Sequence, residues 1–242
     1  MTKSNYICTC GIHPIEYAKL FTYAPISEDT CAVTGYKGTE TASLLIPERD
    51  PAGRYVVAIG DRAFASLASL RAVTLPDSLE SIGKRAFAFC VNLLDIRVSP
   101  HSRLSSIGDR AFMGCERLTV LRFGRLHSLV SLGRSAFAYC TRLRSVVLPE
   151  GLSELSPSLF EGCTALEHIH LPHSLSVIRT AAFSACSALR VLTVPASVKI
   201  IEDCAFAWCG HLTDLRLPES PCMIAASAFL DCVALEDILK VG

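Results

Sequence analysis

Twelve cysteines and seven histidines carry most of the chemical potential of this 242-residue chain. Thiolates and imidazoles ligate metals, and thiols can also form disulfides or act as nucleophiles; each role demands a particular spacing. Seven of the cysteines share one register, namely Cys90, Cys115, Cys140, Cys163, Cys186, Cys209 and Cys232, and Leu67 stands at the same place ahead of them. A leucine there says that the position wants a small or medium apolar group, and a reduced cysteine packs as one. Neighbours in such a column project in parallel at ~4.8 Å, the strand spacing. A disulfide needs converging Cβ atoms ~3.5–4.5 Å apart. The expectation is a ladder of buried thiols without bridges, in a reducing compartment.

The other groups are incomplete. Cys8-x-Cys10-x-x-His13 is a zinc pattern lacking its fourth ligand. His168 and His170 share a strand face with His173 close behind, but no acid or thiol is fixed beside them by spacing, so they read as surface histidines, with a metal site as the alternative. No Gly-rich phosphate loop, Gly-x-Ser-x-Gly or His-Glu-x-x-His is present. No catalytic set, metal or cofactor is expected, and the chain reads as non-enzymatic. Lys and Arg number 23 and Asp and Glu 23, a balance that argues against nucleic acid and anionic membranes. No run approaches the ~18 apolar residues of a membrane helix. Residues 1–10 hold no apolar core for a signal peptide. As written, the chain is expected in the cytoplasm; the alternative is a secreted, periplasmic or cell-surface location.

The elements that must position these residues follow from a repeat. Phenylalanines recur at 64, 87, 112, 137, 160, 183, 206 and 229, every 23 or 25 residues. Six residues after each lies a leucine, from Leu70 to Leu235. Nine after lies Val, Ile or Leu, and five before lies Ile or Leu, from Ile59 to Ile224. Leu-x-x-Ile-x-Leu ends in a short alternating run, the mark of a strand with one buried face. Pro76, Pro149, Pro172, Pro195 and Pro218 close most of these strands. The stretch around Gly-x-x-Ala-Phe-x-x-Cys predicts one or two helical turns on the outer side. One such unit cannot bury its apolar side alone, so the units must stack.

Leu93-Leu94-Asp95-Ile96-Arg97-Val98 and Ile82-Gly83-Lys84-Arg85-Ala86-Phe87-Ala88-Phe89-Cys90 together resemble the BspA-like, or Treponema pallidum type, class of leucine-rich repeats. The resemblance covers about residues 31–242. It implies an α/β solenoid: a right-handed superhelix with a parallel concave β-sheet and short helical turns outside. Residues 1–55 would form a cap with a hairpin and a lead-in segment, and residues 56–242 about eight repeats. Many members are bacterial surface or secreted proteins that bind host or matrix proteins, so a protein partner, such as a host protein, is what the resemblance implies.

Two surfaces are candidates for binding. On the concave face, the residues between buried positions include Asp95, Arg97, Val120, Arg122, Val147, His168, His170, Val191 and Arg216, a mixture suited to a protein partner; an ordinary solvated sheet is the alternative. On the outer side, two residues after the ladder phenylalanines, Phe89, Tyr139 and Trp208 are aromatic, and Gly114 between the first two would leave a hollow for a small hydrophobic ligand. The alternative is that the rings fold down onto the surface. Two-residue insertions near 99–103 and 124–128 predict bulging and a gap in sheet pairing. Residues 238–242 are strand-like and uncapped, an open edge suited to self-association.

Overall fold

The structure is a computed structural model and describes residues 14–38, 41–123 and 126–235. Each repeat makes one turn of a solenoid with two short strands. The first lies on the concave side and spans three residues, as in Asp95–Arg97, Val120–Arg122 and Ser145–Val147. The second, two residues long, carries the apolar position five before each phenylalanine, as in Ser81–Ile82 and Ser106–Ile107. All pairings between repeats are parallel and in register, for example Val146↔Leu121 and Ile82↔Ile107. In-register stacking is what equal repeat lengths produce, because a slip of one residue would turn every buried side chain outward.

The outer segment consists of stacked hydrogen-bonded turns where the sequence predicted short helical turns. From the Phe64 repeat to the Phe206 repeat, two positions in each have left-handed backbone, such as Arg85 (φ 56°) and Phe89 (φ 60°) about Phe87, and Ser135 (φ 55°) and Tyr139 (φ 59°) about Phe137. A left-handed residue every four interrupts an α-helix. The amide hydrogens divide accordingly. Those of Ala86, Ala88 and Cys90 donate within their own turn, to Gly83, Arg85 and Phe87. Those of Arg85, Phe87 and Phe89 donate to carbonyls of the next repeat, at Asp109, Ala111 and Met113. Few backbone groups are left to water, and the turns form a third inter-repeat ladder.

The phenylalanines fill the core between these layers. Phe87, Phe112, Phe137, Phe160, Phe183 and Phe206 are fully buried. Their rings stack nearly parallel, within 16° along the ladder from Phe64 to Phe229, at centroid separations of 5.0 to 5.8 Å. Strands sit only ~4.8 Å apart, so the ring layer is the more widely spaced one and lies toward the outside of the curve.

The cysteine column is buried, as its spacing implied, and it does more than fill space. Each thiol reaches back one repeat to a phenylalanine carbonyl: Cys90 Sγ to Phe64 O at 3.1 Å, Cys140 Sγ to Phe112 O at 3.4 Å, Cys163 Sγ to Phe137 O at 3.2 Å. Leu67 belongs to the first phenylalanine repeat, which has no ladder carbonyl behind it to accept a thiol. Burial pushes the Cys90 thiol up to about 11 and Cys140 up to about 12. Thiolate chemistry is suppressed at these sites.

The stack is covered at its start by a hairpin, Phe21–Pro25 against Thr30–Tyr36, antiparallel, which continues as a parallel neighbour of Tyr55–Ile59. Phe21 meets the first ladder ring, Phe64, edge-on at 6.3 Å, and Tyr17 and Tyr36 pack around it. The apolar end of the ring stack is thereby kept from water. Buried Asp50 fixes the following loop, accepting from the backbone of Ala52 and Arg54 and from the Arg54 guanidinium.

Candidate functional site

The concave face is divided into blocks. Among the described residues, its strands form three sheets: Ser43–Leu45 with Ala72–Thr74 and Asp95–Arg97; Val120–Arg122 with Ser145–Val147 and His168–His170; and Val191–Thr193 with Asp214–Arg216. The first break coincides with the insertion near residues 99–103, as the added length predicts. The insertion near 124–128 leaves Val120–Arg122 and Ser145–Val147 paired, and the second concave break, before Val191, has no insertion beside it.

These blocks separate the concave candidates. Val120, Arg122, Val147, His168 and His170 stand together, with Val147 in register between Arg122 and His170. Val120 and Val147 are more than a third exposed. Asp95 and Arg97 lie across the first break, and Val191 and Arg216 across the second. The three arginines differ in availability. Arg97 Nε sits 2.8 Å from Asp95, and Arg216 Nη2 sits 3.1 Å from Asp214, each acid two residues earlier on the same strand face. Arg122 has no ion-pair partner among the described residues. An open cleft of about 320 Å³ lies at the first break, lined by Leu94, Asp95, Ile96, Thr119, Val120 and Arg122. Leu94 and Thr119 were not among the sequence candidates. The signal was there, because Leu94 occupies a column that is otherwise Arg71, Thr119, Arg144, Glu167, Arg190 and Thr213.

The histidines sit beside acids without converging on a point. His170 Nε2 is 3.9 Å from Glu150, His168 Nε2 is 4.0 Å from Glu167, and the His170 and His173 rings are 6.4 Å apart. Among the described residues, no group of three His, Cys, Asp or Glu is arranged to hold a metal ion. Cys8, Cys10 and His13 lie outside the described residues, as does the strand-like run at 238–242.

On the outer side, Phe89, Tyr139 and Trp208 are each about half exposed. The space expected as a hollow at Gly114 is taken by a ring. A Cβ on Gly114 would stand 2.7 Å from Phe89 Cδ1, and one on Gly162 would stand 2.6 Å from Tyr139 Cδ1. Each aromatic side chain therefore leans along the solenoid and seats on the glycine of the next repeat. Glycine is required there by the ring; its φ of +72° or +70° is the left-handed backbone that Phe89, Tyr139 and Ala185 adopt at the same place in their own repeats. The Tyr139 hydroxyl donates to Glu161 Oε1 at 2.9 Å. Trp208 has Asp231, not glycine, at the equivalent place in the next repeat.

Comparison with known proteins agrees with this architecture. The BspA type leucine rich repeat region matches in six copies over residues 52–129 and 105–236. Among solved structures, the T. pallidum leucine rich repeat protein TpLRR is similar, with 28% identity and a TM-score of 0.71 over 93% of this chain and 92% of that one. A leucine rich cell surface protein from Faecalibacterium prausnitzii has 22% identity and a TM-score of 0.65 over 89% of this chain and 86% of that one, a likeness of fold. No curated protein matches the chain. Repeat register, solenoid architecture and a match over most of the sequence together place this chain in the BspA type leucine-rich-repeat family.

Proposed function

We propose that this chain is a non-enzymatic protein-binding module whose partner docks on the central concave block, with Arg122 as its charged anchor. The observation that carries this reading is the state of Arg122. It is exposed and without an ion pair among the described residues, between Val120 and Val147, each more than a third exposed, and at the mouth of the cleft. Arginine next to apolar surface is the composition of binding hot spots. Arg97 and Arg216 are already neutralised by Asp95 and Asp214 and serve as rim. The partner chemistry this fits is an apolar side chain beside a carboxylate. Among the described residues, no helix is long and apolar enough to cross a membrane.

The test is quantitative capture from host extracellular-matrix and serum proteins, comparing the intact chain with Arg122→Glu and Val147→Asp. Loss of the same partner in both variants is expected. An unchanged capture profile would discard the concave block. The alternative, a carrier of a small hydrophobic ligand at Phe89, Tyr139 and Trp208, has less support, because two of those rings already cover the glycines beneath them. Lipid in native mass spectra of the purified protein would restore it.

A further inference from the structure

The zero net charge conceals a division along the solenoid. Residues 54–149 contain fourteen Lys and Arg against six Asp and Glu, whereas residues 150–242 contain five against eleven. Part of the basic excess lies in the outer segments, before and after the seated aromatic rings along the chain. Lys84 and Arg134 lie three residues before their ladder phenylalanines, and Arg117 and Arg142 lie five after theirs. All four are exposed and without ion pairs among the described residues. Asp109, an acid in the same column as Lys84 and Arg134, is turned onto the backbone amide of Arg134 at 2.9 Å. Asp109 and Glu116 are exposed acids on this side, and the half-buried carboxylate of Glu161 is occupied by the Tyr139 hydroxyl at 2.9 Å.

We infer that this outer strip, from the Phe87 repeat to the Phe137 repeat, is a binding surface for an acidic linear polysaccharide, one carrying carboxylate or sulfate groups. The rings of Phe89 and Tyr139 each have one side held against the glycine of the next repeat and remain nearly half exposed. A sugar needs only one open ring surface, against which it lays its C–H face. Guanidinium groups flanking the rings match carboxylate and sulfate bidentately. Spacing favours a glycan over a single-stranded nucleic acid, which uses the same ingredients. Phe89 and Tyr139 are two repeats apart, separated by ladder steps of 5.1 and 5.4 Å. That is the length of a disaccharide unit and far exceeds the step between adjacent stacked bases, ~3.4 Å. Gly114, on which the Phe89 ring is seated, adds no side chain of its own between that ring and Tyr139.

The test is calorimetric titration of the full chain with a heparin-derived octasaccharide and an oligogalacturonate, at two salt concentrations, beside a neutral cello-oligosaccharide and oligo-dT. Tighter binding of at least one acidic oligosaccharide than of the other two probes is expected, weakening with salt. The double variant Phe89→Ala/Tyr139→Ala should weaken it about tenfold, with circular dichroism unchanged. Arg117→Ser/Arg142→Ser should weaken it by a similar factor and flatten the salt dependence, while the concave variant Val147→Asp leaves it unaltered. No binding of either acidic sugar would overturn the inference. So would equal or tighter binding of oligo-dT, or affinity indifferent to the aromatic substitutions.

Discussion

Replacing Phe137 by alanine tests the stacked ladder most directly. The ring is fully buried and lies between Phe112 at 5.4 Å and Phe160 at 5.8 Å, with Phe123 tilted against it at 5.9 Å. Truncating a buried phenylalanine costs ~3–5 kcal/mol through lost transfer energy and the cavity left behind. This site belongs at the upper end, because three aromatic contacts worth ~0.5–1.5 kcal/mol each go with the ring. The turns on either side are hydrogen-bonded to both neighbouring repeats, which resists collapse into the void. Phe229 is the internal comparison. It is only half-buried and stacks on one ring, Phe206, at 5.2 Å. Its truncation should cost about 1–2 kcal/mol. Urea unfolding followed by far-UV circular dichroism, with Trp208 fluorescence reporting the later repeats, measures both. Against a total stability of ~5–15 kcal/mol, Phe137→Ala should shift the midpoint severely and Phe229→Ala mildly. Equal losses, or a loss below about 1 kcal/mol at Phe137, would refute the idea that each repeat is stabilised by its neighbours.

Three further outcomes follow from the same geometry. Gly114→Ala should destabilise by about 1–2 kcal/mol, because the new Cβ meets both a φ of +72° and the Phe89 ring; Gly114→Asn, which tolerates left-handed backbone, isolates the contribution of the ring in thermal melts. The thiol column should make the protein alkali-sensitive. Folded thiols at about 11 for Cys90 and about 12 for Cys140 lie above the ordinary value of 9.0, so unfolded thiols ionise first. Stability is then intact below 9 and falls as pH rises toward 12, by up to ~1.4 kcal/mol per pH unit for each such thiol, and Cys140→Ala should flatten the slope of urea stability against pH. Asp50 gives the opposite sign. Burial alone would raise its carboxyl, but hydrogen bonds and the charge of Arg54 hold it below the usual 3.8, so its contribution is present above that value and disappears as pH falls through its folded one. Asp50→Asn should remove that acid sensitivity at a cost of ~1–3 kcal/mol, read from denaturation at neutral and acid pH.

The spacing of Phe64 through Phe229, with its companion columns, determined by itself that the chain is a stack, which side chains are inside and where the concave strands run. A short-range pattern repeated eight times leaves only one register that buries every copy. The same column of cysteines announced burial, and the break at residues 99–103 announced a fault in the sheet. Tertiary structure alone decided the remainder. Left-handed backbone at Arg85 and Phe89 became visible only when the turns had a neighbour to donate to, so a run that reads as helical forms turns. The thiols' acceptors are carbonyls of another repeat, some 26 to 28 residues away, a distance at which sequence patterns carry no hydrogen bonds. Whether Arg97, Arg122 or Arg216 is available is likewise unreadable from residue type, since it depends on which carboxylate the fold brings within reach. Gly114 looked like a vacancy between Phe89 and Tyr139, yet the lean of each ring along the axis fills it. Periodicity fixes the rung because every copy is subject to the same burial, whereas a surface site depends on contacts that each rung makes once.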